Sequence, residues 1–120
     1  MAAQFRDRYD PSRIRFTRLN PGSSRLEGLL KILDSVVPGG SIFHLFADTP
    51  DQSEDLFVVL IDGATVVRFD LPRDCSYPGI GAGPPSNVEI EPFSIVRQRA
   101  GQEQRKLLDR AALDADQFLA

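Results

Sequence analysis

The sequence predicts an α+β fold, an antiparallel sheet of four to five strands with two helices packed on one face. Three observations lead there. Two segments with apolar residues at helical spacing, about 24–37 and 102–119, flank the middle of the chain. Between them lie consecutive β-branched and aromatic runs with no helix interposed, so the strand–helix alternation of a parallel sheet is missing. Two of those runs are joined by Asp62-Gly63, a dipeptide that takes the positive φ angles of a tight hairpin turn.

Residues 1–12 place Arg6, Asp7, Arg8 and Asp10 ahead of Pro11 with no apolar period, and read as a loose N-terminal arm. Ile14 and Phe16 then alternate with Arg13, Arg15 and Thr17, which predicts a short edge strand over 13–19. Asn20-Pro21-Gly22-Ser23 is turn chemistry, and Ser24 followed three residues later by Glu27 has the spacing of a capping box. Leu26, Leu29, Leu30, Leu33 and Val37 form one helical face, which Pro38-Gly39-Gly40 ends.

Ser41 to Ala47 is apolar on both alternating faces, with Phe43 and Leu45 on one and Ile42, His44 and Phe46 on the other. That pattern predicts a central strand covered on two sides. Leu56 to Ile61 and Ala64 to Leu71 make the hairpin around Asp62-Gly63. Residues 72–87 hold Pro72, Pro78, Pro84 and Pro85 with Gly79, Gly81 and Gly83, a long connection without regular structure. Val88 and Ile90 alternate with Glu89 and Glu91 as a half-exposed strand, which Pro92 interrupts as a bulge before Phe93-Ser94-Ile95-Val96 continues it. From Gln102, Leu108, Ala111, Ala112, Ala115 and Leu119 share one helical face. The expected order is β-α-β-β-β-β-α, a single domain over 1–120 with no internal repeat.

A 120-residue chain with a 42% hydrophobic fraction can build its own core without a disulfide or a structural metal. The lone Cys75 excludes an intrachain disulfide and favours a reducing, cytoplasmic setting. No apolar run approaches the roughly 20 residues of a membrane span, and the start lacks the apolar stretch of a secretion signal, so no membrane partner is expected. Charge is uneven: residues 1–25 hold six Arg against two Asp, whereas 26–62 hold one Lys against seven acids. The net charge of -3 and the few aromatics among the arginines disfavour nucleic-acid binding, which draws most of its affinity from phosphate neutralisation.

Catalytic chemistry finds little to use. The single histidine, His44, sits mid-strand between Phe43 and Leu45, where a packed, hydrogen-bonded ring is the expected reading. Cys75 lies in Arg73-Asp74-Cys75-Ser76-Tyr77, where Asp74 opposes any activation of the thiol by Arg73. Gly79-Ile80-Gly81-Ala82-Gly83 leads toward a strand, not into a helix whose N-terminus would face a phosphate. Asp48-x-x-Asp51-x-x-Glu54 supplies oxygen ligands without the glycine that a calcium loop needs for its turn. No catalytic residue, metal site or cofactor is therefore expected.

What remains is a small acidic, non-catalytic protein-binding domain, an inhibitor or an immunity- or antitoxin-like protein that occludes a basic partner. Asp48, Asp51, Glu54 and Asp55, expected in a loop between two strands, are the candidate steering patch, and Tyr77 and Ile80 the candidate apolar anchors. Two alternatives stand beside it. One is a self-associating assembly or chaperone-like subunit, a homodimer built through the sheet edge or the C-terminal helix with Phe118 and Leu119. The other is a small enzyme using Cys75 or His44.

Overall fold

Helix α1 (Ser24–Val36) starts where Ser23 turns its side chain back on the chain, its Oγ accepting the Leu26 N–H at 3.2 Å. The cap is thus one residue earlier than the spacing suggested. Glu27 consequently misses the position that would return a hydrogen bond, and contributes only as a negative charge in the first turn. At the other end the Val37 N–H donates to the Leu33 carbonyl at 2.7 Å, and Gly39 takes a φ of 93° that reverses the chain. The computed structural model describes the backbone of residues 15–51, 54–72 and 85–120, and the side chains of 15–46, 56–71 and 85–120.

Five strands form one antiparallel sheet in chain order: β1 (Arg15–Thr17), β2 (Ile42–Asp51), β3 (Glu54–Ile61), β4 (Thr65–Pro72) and β5 (Ser86–Pro92). The hairpin between β3 and β4 turns on Asp62 and Gly63, both at positive φ (55° and 67°), as that dipeptide predicts. Asp62 does more than turn. Its carboxylate accepts the Ser41 and Ile42 N–H groups at 2.8 and 2.9 Å, fixing the start of β2 to the turn. Gly40 lies against the same place, where an added Cβ would stand 2.6 Å from Ile61 Cγ2.

The sheet has two apolar faces, and each carries its own helical cover. On one, Phe43 and Leu45 of β2, Phe57, Val59 and Ile61 of β3, and Val67, Phe69 and Leu71 of β4 pack with Phe16 against Leu29, Leu30 and Leu33 of α1. Cross-strand ring pairs reinforce it, Phe16 with Phe43 at 4.9 Å and Phe57 with Phe69 at 5.6 Å between centroids. On the other face, Phe46, Leu60 and Val66 pack against Leu108 and Ala111 of α3 (Gln102–Leu119). The α+β class and the antiparallel sheet are those the sequence predicts. The expected placement of both helices on one face is corrected: α1 and α3 sit on opposite faces. The physical reason is the two-sided apolar pattern of β2, since a single helical layer would leave Phe46 and Leu60 in water.

A third helix, α2 (Phe93–Arg99), replaces the expected continuation of the last strand. Pro92 is its N-cap, with the φ of −67° that its ring imposes. Phe93, Val96 and Ala100 pack together on the α3 side of the sheet, a helical spacing, whereas Ile95, a core position in a strand reading, is 42% exposed. Around the short connection to α3, Arg97 holds Asp109 through two hydrogen bonds, 2.7 and 3.0 Å, and Arg105 donates to the Arg97 and Gln98 carbonyls. On the opposite edge, Arg18 donates to the Gly40 carbonyl at 2.8 Å and grips both oxygens of Asp34, joining the end of β1 to α1.

Candidate functional site

Three places hold the chemistry of this fold: the far end of the β2–β3 hairpin, a polar contact buried under α3, and a shallow cleft beside α2. The hairpin end is where four of the six candidate partner-binding residues fall. Asp48, Asp51, Glu54 and Asp55 do not lie in a loop, as their composition suggested, but on the extended ends of β2 and β3. The register runs unbroken from Ala47 opposite Val58, through Asp48 opposite Phe57 and Pro50 opposite Asp55, to Asp51 opposite Glu54. A bulge between Leu45 and Ala47 precedes it.

The strands extend because pairing overrides local preference. Asp and Pro are poor strand formers, but β3 continues the ladder past them. Among the described residues β1 pairs only with Ile42, Phe43 and His44, so no described strand flanks Pro50 on that side of β2, where a proline is tolerated. The backbone thus gathers four acidic residues onto the last four residue pairs of one long hairpin. Tyr77 and Ile80, the candidate anchors, lie outside the described residues, as do Cys75 and most of the predicted 72–87 loop.

His44 is completely enclosed. Its Nε2 lies 2.7 Å from Asp114 Oδ2 on α3, and Arg15 of β1 donates to the same oxygen at 3.1 Å. Because an ionised carboxylate only accepts, the neutral ring carries its proton on Nε2, and Nδ1 is left as a bare, buried nitrogen with no hydrogen-bond partner among the described residues. Burial drives the His44 pKa below the usual 6.5, against the pull of Asp114 and with a smaller push from Arg15. The ring offers no surface on which a substrate can sit. This is the packed, hydrogen-bonded histidine the sequence suggested, but its partners are 70 residues downstream and on a neighbouring strand. The one available signal was that Asp114 falls beside the buried stripe of Leu108, Ala111 and Ala115, where a carboxylate needs a reason.

The cleft, about 230 Å³, opens on the same face as α2 and α3. Val58, Val66 and Val96 floor it, and its rim alternates Arg68, Glu89, Glu91 and Arg99. Glu91 is already joined to Arg99, and Arg68 stands directly across the strands from Glu89. Among the described residues no group of three His, Cys, Asp or Glu side chains is arranged to hold a metal ion, and no helix is long and apolar enough to cross a membrane.

No protein-family model, curated protein or solved structure matches this chain. Its function has to be read from its own geometry.

Proposed function

We propose that this chain is a small protein-binding domain that acts by covering a basic partner, in the manner of an inhibitor, an immunity protein or an antitoxin. The observation that carries the reading is the register at the hairpin end, where Asp48, Asp51, Glu54 and Asp55 come together on two paired strands. Carboxylates clustered at one extremity produce a local field that steers a positively charged surface into contact and disfavours acidic competitors. A paired hairpin presents them with less conformational entropy to lose on binding than a loop would. The contact lies at the hairpin end, with the two helical layers as its support.

The test is the double charge reversal Asp51→Lys with Glu54→Lys. A partner captured at low salt from the native host is purified, and its association rate with both proteins is followed across a salt series. The expected result is a basic partner, slower association by the variant, and a weaker salt dependence. An association rate unchanged by the reversal overturns the proposal.

A second reading, self-association, draws on Phe118 and Leu119, which are 46% and 49% exposed on the last turn of α3. It favours that helix over the sheet edge at β5. There a bulge at Asn87 with a φ of 52°, the charges of Glu89 and Glu91, and Pro92 all discourage strand addition. A solution mass that stays at 13.3 kDa at all concentrations rejects this reading.

A further inference from the structure

The rim of the cleft beside α2 balances two arginines against two glutamates and selects no ligand charge, whereas the enclosed His44 has a definite consequence. We propose that His44 is an acid-sensitive latch: its neutral ring fastens α3 to the sheet through Asp114, and a proton arriving at Nδ1 releases the helix.

The geometry sets both states. In the closed state Nε2–H donates to Asp114 at 2.7 Å, and the aprotic Nδ1 can remain buried at modest cost. A second proton has only Nδ1 to occupy. It creates a buried N–H with no acceptor on a cation with no exposed surface, the kind of unpaired group that interiors exclude.

Charges reach the ring from α3 and β1. Asp114 on α3 favours the cation, and Arg15, the cross-strand partner of His44 on β1, opposes it. β3 places the apolar Leu60 opposite His44, and α3 carries Arg110 one turn before Asp114. Desolvation outweighs the attraction of Asp114, so the closed state resists protonation. Opening relieves that resistance, because a solvated ring binds its proton near 6.5. Asp114 is 35% exposed, so the contact lies at the margin of the helix, where fraying brings water to the ring. Arg15 and His44 tie the sheet to α3 through one and the same carboxylate oxygen, so the protonated ring and the helix part at a shared point.

The chain has one histidine, so its imidazole resonances need no assignment by mutation. Two measurements on the full chain test the latch: the titration midpoint of His44 by NMR, and the hydrogen-exchange protection factors of α3 between pH 7 and pH 5. The expected midpoint lies below 6.5, and α3 protection falls by up to about tenfold per pH unit below about 6.5, the limit for one linked proton. Amides of helix α1 that exchange by local fraying, on the opposite face, hold their protection across that range. His44→Gln keeps a donor toward Asp114 without a titrating ring, and its α3 protection is expected to be flat with pH.

Should that variant fail to fold, Asp114→Asn serves in its place. It keeps an acceptor but removes the charge that favours the imidazolium, so the His44 midpoint moves further down. A wild-type midpoint at or above 6.5, or α3 protection that does not change between pH 7 and pH 5, overturns the latch.

Discussion

Replacing Gly63 by alanine separates two physical effects at one atom. Gly63 turns the β3–β4 hairpin at φ 67°, a region in which an L-residue costs about 1–2 kcal/mol. Its added Cβ would also stand 3.0 Å from Ala115 Cβ, with the Ala112 carbonyl oxygen at 3.4 Å. The contact is against a helix, so relief requires α3 to shift, and overpacking of this kind costs about 1–3 kcal/mol. Together the two terms predict a loss of about 2–5 kcal/mol, readable as a lower urea midpoint at unchanged slope. The cycle with Ala115→Gly tells them apart. That substitution removes the Cβ that is struck and leaves the backbone conformation alone, so the pair should show a favourable coupling of about 1 kcal/mol or more. A coupling near zero refutes the close approach of turn and helix. A loss below about 0.5 kcal/mol for Gly63→Ala refutes the positive φ as well.

Leu33→Ala and Leu108→Ala each empty a fully covered site, one under α1 and one under α3, and each should cost about 2–5 kcal/mol by urea denaturation. Because the two leucines lie on opposite faces of the sheet, their losses should add, and strong coupling between them would contradict that separation. Stability should fall with acid in two windows, measured by urea midpoints against pH. His44 has a lowered pKa in the folded state, so the unfolded chain takes up its proton first, and stability is lost as pH drops from about 6.5 toward the folded value. Asp34 and Asp109 are held low by hydrogen bonds from Arg18 and Arg97, so the stability they lend is present above 3.8 and disappears below it. Arg18→Ala removes the partner of Asp34 and should shrink the lower window while leaving the upper one intact.

Most of the architecture was legible in short-range pattern. The leucines of α1, the Asp62-Gly63 turn and the apolar stripe of α3 are local signals, and the elements appear within a residue or two of where those signals put them. Sidedness was written in the sequence too. Phe43 and Leu45 alternate with His44 and Phe46, all apolar or enclosed, and a strand so built demands cover on both faces. Two kinds of feature escaped. Phe93, Val96 and Ala100 have helical spacing, but over seven residues that signal is too short to outweigh a preceding strand and a proline. The extension of β2 and β3 through Asp48, Pro50, Asp51 and Asp55 comes from pairing with a neighbour, which no single-strand propensity records. The contact of His44 with Asp114 and Arg15 depends on how α3 docks, and spans of 70 and 99 residues separate the groups involved.

The strand order of the sheet repeats the order of the chain, and this sets how the molecule can assemble itself. β3 and β4 meet after three intervening residues and β2 and β3 after two, so these pairings close with little loss of chain entropy. β4 must wait for the span to Ser86 before β5 can add, and β1 reaches β2 only across the whole of α1. The three central strands are therefore the natural nucleus, and they hold side chains that end up in both cores. Each helix then finds a half-built wall already in place. With every strand paired to its neighbour in sequence, no pairing waits on a crossover past a third strand, and the sheet can grow outward from its middle in both directions at once.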